Sequence, residues 1–448
     1  MSFFASSPFG VGFDGFRLMR DADREARHER NLQLARSIKR IDSPPRRPGG
    51  SVCSRLLMAI STMTRTASNC DENADSPSAF TIQRLDDFRS LSPDSRDLFD
   101  QAEATSFDLG LEWFQLLAAT AMPPSTEVCL YRVADATSGH TVAMLPVRQE
   151  RGEKRLLALA NYYTGLFAPL PRSEFAEPAL TALFRVLRTQ DACPSITLFP
   201  MAADQPEFSA TARALRQAGW LAFEYFCFGN WFLPVEGRSH AQYFQTLPPR
   251  LRNTLQRKSR LFLGMAGGRL EIVAGGDRLE PGIAAYEKLY RARWNKSEPF
   301  PDFIPGLIRL HAGKDQLRLG LAYLGEQPVA AQIWLVNDGR ASIYKLAYDT
   351  NHAHLSVGSL LTNHLMQHVI DVDRVREVDF LIGDEPYKQD WMSHRRERWG
   401  IVAYNPRTSS GLAGAANEIS RRVAKKALAL FRHYFRAASG IIGGRHPR

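Results

Sequence analysis

One order of strands and helices occurs twice along this chain, and that duplication narrows the folds open to it more than any single motif. Between Phe80 and Val235 the apolar pattern shows helical patterning around Leu98 to Thr120, then strands at Glu127 to Val133 and Thr141 to Arg148 turned by Ser138-Gly139-His140. A third apolar run, Leu156 to Leu170, precedes a helix at Ala179 to Leu187, a strand at Ser195 to Pro200, a helix at Ala210 to Ala218 and a strand near Ala222 to Leu233. After residue 268 a similar order returns. A strand at Arg269 to Val273 leads to helical spacing over Gly282 to Trp294 and Asp302 to His311. Strands at Leu317 to Leu324, Val329 to Val336 and Ala341 to Tyr348 follow, turned by Gly325-Glu326-Gln327 and Asn337-Asp338-Gly339. A helix from about Val357 to Val372, a strand at Val375 to Ile382, a helix at Tyr387 to His394 and a strand at Gly400 to Tyr404 complete the second unit. The pattern predicts an α/β chain (α+β mixed sheet) built from two similar units.

A length of 448 residues with 44% apolar content supplies cores for both units. Residues 1–78 carry charged patches, Pro44-Pro45, Gly49-Gly50 and a Ser/Thr-rich stretch without apolar period, and are expected to be disordered. The units are then 79–235 and 236–405, with a basic tail over 406–448. Five cysteines without a C-x-x-C pair argue against a disulfide framework and a thiolate metal site, and suit a reducing, cytoplasmic setting. No apolar run is long enough to cross a membrane, and the net charge of +10 favours an anionic partner.

Several local features of the second unit occur together: Arg291-Ala-Arg-Trp294, Pro328-Val-Ala-Ala-Gln332, and the run from Tyr348-Asp349 to Ser356-Val-Gly-Ser-Leu-Leu361. With them comes Asp379-Phe-Leu-Ile-Gly-Asp-Glu-Pro-Tyr-Lys388, followed by Trp391. In this order they resemble the GNAT-type acetyltransferase domain associated with cellulose and exopolysaccharide biosynthesis, a branch related to the FemAB peptidyltransferases. The first unit is only loosely similar, through Glu112-Trp113-Phe114, Val142-Ala-Met-Leu-Pro146 and Asn161-Tyr-Tyr-Thr-Gly165. The resemblance implies tandem GNAT-like domains, the first degenerate.

Such folds hold the arm of an acyl carrier against a splayed strand and its pyrophosphate at the next helix start, where free N–H groups and the helix dipole favour an anion. That implies a donor site at Tyr348, Ser356, Val357, Gly358 and Ser359, the glycine allowing close approach. The competing reading is an ordinary capped helix. His354-Leu-Ser-Val-Gly358 offers one glycine where typical members have more, so acyl carrier protein stands beside acyl-CoA as co-substrate. Attack by a neutral amine calls for a proton acceptor, for which Asp349 and Asp384 are candidates, and an acid for the leaving thiolate, for which Tyr387 is the candidate. Lys388, Trp391, Gln332 and Arg293 are candidate acceptor contacts. Turn and helix-cap chemistry is the plainer account of the two aspartates, and core packing of Tyr387.

His364 and His368 lie four apart on one helical face, yet no glutamate accompanies them as in H-E-x-x-H, and no metal is expected. Pro248 to Leu263 carries Arg250, Arg252, Arg257, Lys258 and Arg260, which suit a clamp on carrier phosphates or a solvated face. Ala415 to Arg436 reads as an amphipathic helix in a tail holding nine Lys/Arg against one Glu, which suits peripheral contact with the inner face of a membrane or packing on the domain. The expected activity is transfer of an acyl group to an amine-bearing small molecule or glycan precursor. The alternatives are a FemAB-like aminoacyltransferase using aminoacyl-tRNA and a non-catalytic basic binding protein.

Overall fold

Short turns with left-handed glycines set the first strands, and the computed structural model of the protein, which describes residues 79–295 and 297–442, shows them in place. The segment expected to be disordered, 1–78, lies outside the described residues. β1 (Phe80–Leu85) pairs antiparallel with β2 (Thr126–Asp135), and β2 with β3 (Thr141–Glu150). Between β2 and β3 the Asp135 carboxylate accepts from the Ser138 and Thr137 N–H groups, and Gly139 takes φ +71°. The helical patterning expected around Leu98 to Thr120 is carried by two helices, α1 (Pro93–Thr105) and α2 (Leu111–Thr120). The break has a cause that reaches across the sequence: Ser106 is extended, and its hydroxyl donates to buried Asp108, whose other oxygen accepts from the Leu166 N–H.

The apolar run Leu156 to Leu170 forms strand only at its ends, β4 (Leu156–Ala158) and β5 (Leu170–Pro171). Its middle is a buried loop centred on Tyr163, where Asn161, Thr164 and Gly165 replace the alternation a strand needs. α3 (Ala176–Thr189), β6 (Ser195–Ala202), α4 (Pro206–Gln217) and β7 (Leu221–Pro234) complete the first unit.

The second unit opens with α5 (His240–Thr246) and α6 (Pro249–Leu263). β8 (Gly268–Val273), α7 (Leu279–Trp294), α8 (Phe303–Gly313), β9 (Leu317–Leu324), β10 (Gln327–Asn337) and β11 (Arg340–Tyr348) follow. Asp338 and Gly339, at φ +41° and +72°, make the tight β10–β11 hairpin turn. Then come α9 (Val357–Asp371), β12 (Glu377–Asp379), β13 (His394–Tyr404) and α10 (Ser409–Ile442). The helix expected at Tyr387 to His394 is a single 3-10 turn, Pro386–Asp390, and the last strand starts earlier than predicted, at His394.

All strands join one mixed sheet in the order β1-β2-β3-β4-β6-β13-β7-β12-β11-β10-β9-β8, with β5 beside β3. The order shows an exchange: β13, from the second unit, lies between β6 and β7, while β7, from the first, pairs with β12. A buried polar network sits at this seam. Asp379, 1% exposed, accepts from Arg396 Nη2 and Asn230 Nδ2 at 2.5 Å each. Arg396 also reaches Glu377 at 2.8 Å and Asn230 Oδ1 at 2.6 Å.

Two apolar cores flank the second unit's half of the sheet. One lies under α5, α6 and α9. The other is continuous with the first unit, where Trp113 of α2 meets Phe303 edge-on at 5.5 Å and Phe107 meets Tyr344 edge-on at 5.9 Å. Side chains this deeply buried each stabilise by about 1.5–3 kcal/mol, so the two units are held together by core as well as by sheet.

Candidate active site

β11 is paired on both edges for only a third of its length. Arg340, Ala341 and Ser342 pair with Glu377, Val378 and Asp379 of β12, and there the pairing stops. From Ile343 to Tyr348 the strand keeps β10 on one side and, among the described residues, has no strand on the other. The cause is Asp379. Its Oδ1 accepts from the Leu381 N–H at 2.6 Å, an Asx turn that holds Leu381 at φ +51° and swings the chain away from β11. The result is a V between two strands that start as neighbours.

A bulge lies on the open stretch. Ile333 of β10 faces Lys345 and Trp334 faces Ile343, leaving Tyr344 as the extra residue. The bulge lets Tyr344 and Lys345 both face α7 and the first unit: the Tyr344 hydroxyl donates to the Tyr163 carbonyl at 3.0 Å, and Lys345 Nζ lies 4.8 Å from the Tyr163 ring centroid.

The open edge runs out at Tyr348, and a 3-10 turn, Thr350–Leu355, leads into α9. Ser356 is left-handed at φ +58°, with no side-chain cap bond, and the first N–H groups of α9 at Val357, Gly358 and Ser359 have no carbonyl four residues back within the helix. A Cβ at Gly358 would meet only the Tyr348 ring, at 3.9 Å, so the space before the helix start is open. The Arg293 guanidinium lies 4.9 Å from the Tyr348 ring centroid. Across the V, Tyr387 is 37% exposed and packs edge-on against Phe380 at 5.8 Å. Partial desolvation, with added pressure from Glu385 and from the Tyr348 phenol, pushes its pKa up and keeps it protonated. Arg293 and Gly358 thus adjoin the Tyr348 ring and Ser356 and Ser359 flank the helix start, whereas the Val357 side chain is buried in the core at 1% exposure, and only its N–H faces the helix start.

Other expected site residues have different surroundings. Asp384 is gripped by Arg395 through both oxygens, at 2.9 and 2.7 Å, and accepts from Trp231 Nε1 at 2.7 Å. The Arg395 hydrogen bonds, then Trp231, hold its carboxyl below the usual range, which makes it a weak proton acceptor. Asp349 caps the turn through the Asn351 N–H at 2.9 Å and pairs with His352 Nδ1 at 3.0 Å, so its oxygens are engaged locally.

Gln332, expected to face the acceptor, is 2% exposed; its amide donates to the Gly358 carbonyl and Thr362 Oγ1 and its oxygen accepts from Trp334 Nε1. It ties α9 to the sheet. Lys388 is 4% exposed and donates to the Ile382 carbonyl at 2.6 Å and pairs with Glu385 at 2.8 Å, clamping the loop after β12. Trp391, 5% exposed, belongs to the core, and its carbonyl accepts from the Tyr243 hydroxyl. All three are buried supports, of α9, of the loop after β12 and of the core.

The sequence reading missed a cluster beside the bulge. Glu298, in the α7–α8 loop, and Lys345 form an ion pair at 2.7 Å with both side chains 7% exposed. Glu298 also accepts from Tyr286 at 3.0 Å and Tyr163 at 2.9 Å. The signal available was Asn161-Tyr-Tyr-Thr-Gly165 in the first unit, noted as a motif without a partner.

Residues 249–389 match the family model described as acetyltransferase (GNAT) domain. Over that stretch the chain carries an acetyltransferase domain of the GNAT type. The GNAT match begins at α6 and ends in the loop after β12, so it contains the bulged strand, the turn and α9. No curated protein sequence matches the chain significantly. Among solved structures, a tandem GNAT protein from the clavulanic acid biosynthesis pathway is similar at 14% identity and TM-score 0.44, over 73% of this chain and 100% of that one. The C-terminal domain of a putative lysylphosphatidylglycerol synthetase from Agrobacterium fabrum gives 13%, 0.44, 71% and 95%. FemX gives 10%, 0.48, 72% and 97%.

Proposed function

We propose that this protein is an N-acyltransferase that moves an acyl group from a thioester donor, acyl-CoA or acyl carrier protein, to the amine of an envelope or exopolysaccharide precursor. The observation that supports it is the open edge of β11, from Ile343 to Tyr348, ending at the uncapped start of α9. Unpaired strand N–H and C=O groups suit the amide groups of a pantetheine arm, as they suit an added strand. The free N–H groups at the start of α9, helped by the helix dipole, suit the phosphate at the arm's far end. The basic helix α6 packs against the 350–355 turn and α9, which adds positive charge on that side.

In this reading the donor carbonyl lies along the open edge of β11, and the Tyr387 hydroxyl, held protonated, donates a hydrogen bond to the departing sulfur, which takes up the proton that the amine loses. The amine nitrogen bonds to the acyl carbon, the carbon–sulfur bond breaks, and one proton leaves the nitrogen. Arg293 and Tyr348 flank the arm. Peripheral contact with an anionic bilayer through α10 fits the same setting: Gly411, Ala415 and Glu418 face the body, whereas Leu412, Ile419 and Val423 are exposed beside Arg421, Lys425 and Lys426. Among the described residues no helix is long and apolar enough to cross a membrane.

Thermal unfolding of the full chain with acetyl-CoA, a longer acyl-CoA, acyl carrier protein and aminoacyl-tRNA tests the reading. A thioester donor at about a hundred times its Kd adds about 2.7 kcal/mol of stability. Stabilisation by aminoacyl-tRNA alone favours the FemAB-like alternative. No stabilisation by any of the four contradicts both.

A further inference from the structure

A run of chain without a single carboxylate opens the second unit. Between Glu236 and Glu271 the sequence holds seven Lys/Arg and no acidic residue, and five of the seven, Arg250, Arg252, Arg257, Lys258 and Arg260, stand on α6. Buried Leu255 and Phe262, with half-buried Leu251, turn one side of α6 to the core. The side turned to solvent carries Arg250, Arg257, Arg260 and Leu261, with Leu263 and Met265 beside its C-terminal end. Leu261, Leu263 and Met265 are 49%, 51% and 37% exposed. Among the described residues Arg257, Lys258 and Arg260 form no ion pair. The turn that presents Met265 is fixed by backbone: the Gly268 N–H donates to the Met265 carbonyl at 3.0 Å, and a Cβ at Gly268 would collide with the Phe262 carbonyl.

Strand register puts that end of α6 at the same end of the sheet as the end of β11. Gly268, the first residue of β8, pairs with Leu324; Leu324 pairs with Gln327 at the start of β10; and the Val329 carbonyl accepts from the Asp349 N–H, just past Tyr348. Three strand spacings of about 4.8 Å, or about 15 Å, separate the start of β8 from the end of β11. α6 also packs against α9 and the Thr350–Leu355 turn. A ligand for this face has to suit guanidinium groups and exposed leucines side by side. A bilayer does not, because a helix lying on lipid separates its apolar and basic faces, and the apolar face of α6 is used in the core. A nucleic acid takes up the charge but leaves the leucines uncovered, and α6 exposes no aromatic ring for base stacking. A second copy of the chain meets like charge. Apolar side chains and methionine flanked by arginine are the composition of a protein–protein interface.

We propose that this face of α6 docks an acidic acyl carrier protein, so that the acyl group arrives on a protein-borne phosphopantetheine arm. This rests on the acyl-transfer reading and chooses between its two thioester donors. Arg250, Arg257 and Arg260 meet carboxylates around the point where the carrier's arm is attached, and Leu261, Leu263 and Met265 meet apolar side chains among them. The arm's phosphate, next to that attachment, falls at the start of α9, and its amide groups run along the unpaired stretch of β11. Charge on the rim governs encounter and its salt dependence, whereas the apolar contact holds the complex and is indifferent to salt.

The test is calorimetric titration of the full chain with an acidic acyl carrier protein, once without its arm and once acetylated. The armless carrier is expected to bind, with a Kd that rises with salt. Leu261→Ser combined with Leu263→Ser is expected to raise that Kd at least about tenfold while acetyl-CoA binding and the melting temperature stay as in wild type, since both side chains are exposed. Arg257→Glu combined with Arg260→Glu is expected to raise it as far and to flatten its salt dependence. An armless carrier that does not bind, or that binds both double variants as tightly as wild type, overturns the assignment. So do tRNA or phosphatidylglycerol vesicles, titrated alongside, if these substitutions abolish their binding and spare the carrier's. When acetyl-CoA binds and the carrier does not, the acyltransferase reading stands and this inference falls; when neither thioester binds, both fall.

Discussion

Asp379→Asn is the substitution that most sharply tests how the V is held open. The carboxylate meets three donors: Leu381 N–H and Asn230 Nδ2 on one oxygen, and Arg396 Nη2 on the other. Asparagine keeps the acceptor for Leu381 but turns the second position into a donor facing the guanidinium. Breaking a buried pair by removing one partner costs about 3–5 kcal/mol, and the lower figure applies because Arg396 retains Glu377 at 2.8 Å. Burial opposes the Asp379 charge, but Arg396, Arg398 and Arg340 prevail and hold its pKa below the ordinary value. A depressed carboxyl pKa contributes stability that is present above the unfolded value, about 4, and lost as pH falls through the folded one. The variant should therefore be about 3 kcal/mol less stable than wild type at pH 7 in urea unfolding followed by tryptophan fluorescence. That gap should shrink as pH drops below about 4. A gap under about 1 kcal/mol at pH 7, or one that persists unchanged in acid, refutes the reasoning.

Other substitutions separate the notch from its supports. Gly358→Ala is expected to raise stability by about 0.5–1 kcal/mol, since its Cβ has room in a helical position, while weakening acetyl-CoA binding at least about tenfold; calorimetric titration and urea unfolding read the two effects. Lys388→Met should cost about 2–4 kcal/mol by leaving the Ile382 carbonyl and Glu385 unpaired, measured by urea unfolding, and the folded fraction should bind acceptor as wild type does. Gly411→Ala should cost about 2–3 kcal/mol in the same assay, because its Cβ would sit 2.1 Å from the Asn405 carbonyl oxygen and 2.8 Å from that of Pro194, both backbone atoms.

The strands and hairpins were legible because their signals are local. Asp338-Gly339 carries its own turn geometry, and the alternation in Thr141 to Arg148 needs no distant partner. The exchange of β7 and β13 was not legible, because each reads equally well as the last strand of its own unit and only pairing distinguishes the two. The break at Ser106 was missed for a related reason: Asp108 is fixed by Leu166, 58 residues away. At the site, Tyr348, Ser356 and Gly358 were readable as a strand end and a helix start. The surroundings of Asp384, Gln332 and Lys388 were not legible, because a polar side chain in a motif looks the same whether it faces a ligand or another part of the chain. Glu298, Lys345 and Tyr163 come from three elements and carry no shared spacing, so only the fold unites them.

Hydrogen exchange on the amides of 343–348 and 357–359, with and without acetyl-CoA or acyl carrier protein, tests the open strand edge most directly. The account predicts that a bound donor slows exchange at both stretches and leaves β9, paired on both sides, unchanged. Donor binding that protects neither stretch contradicts it.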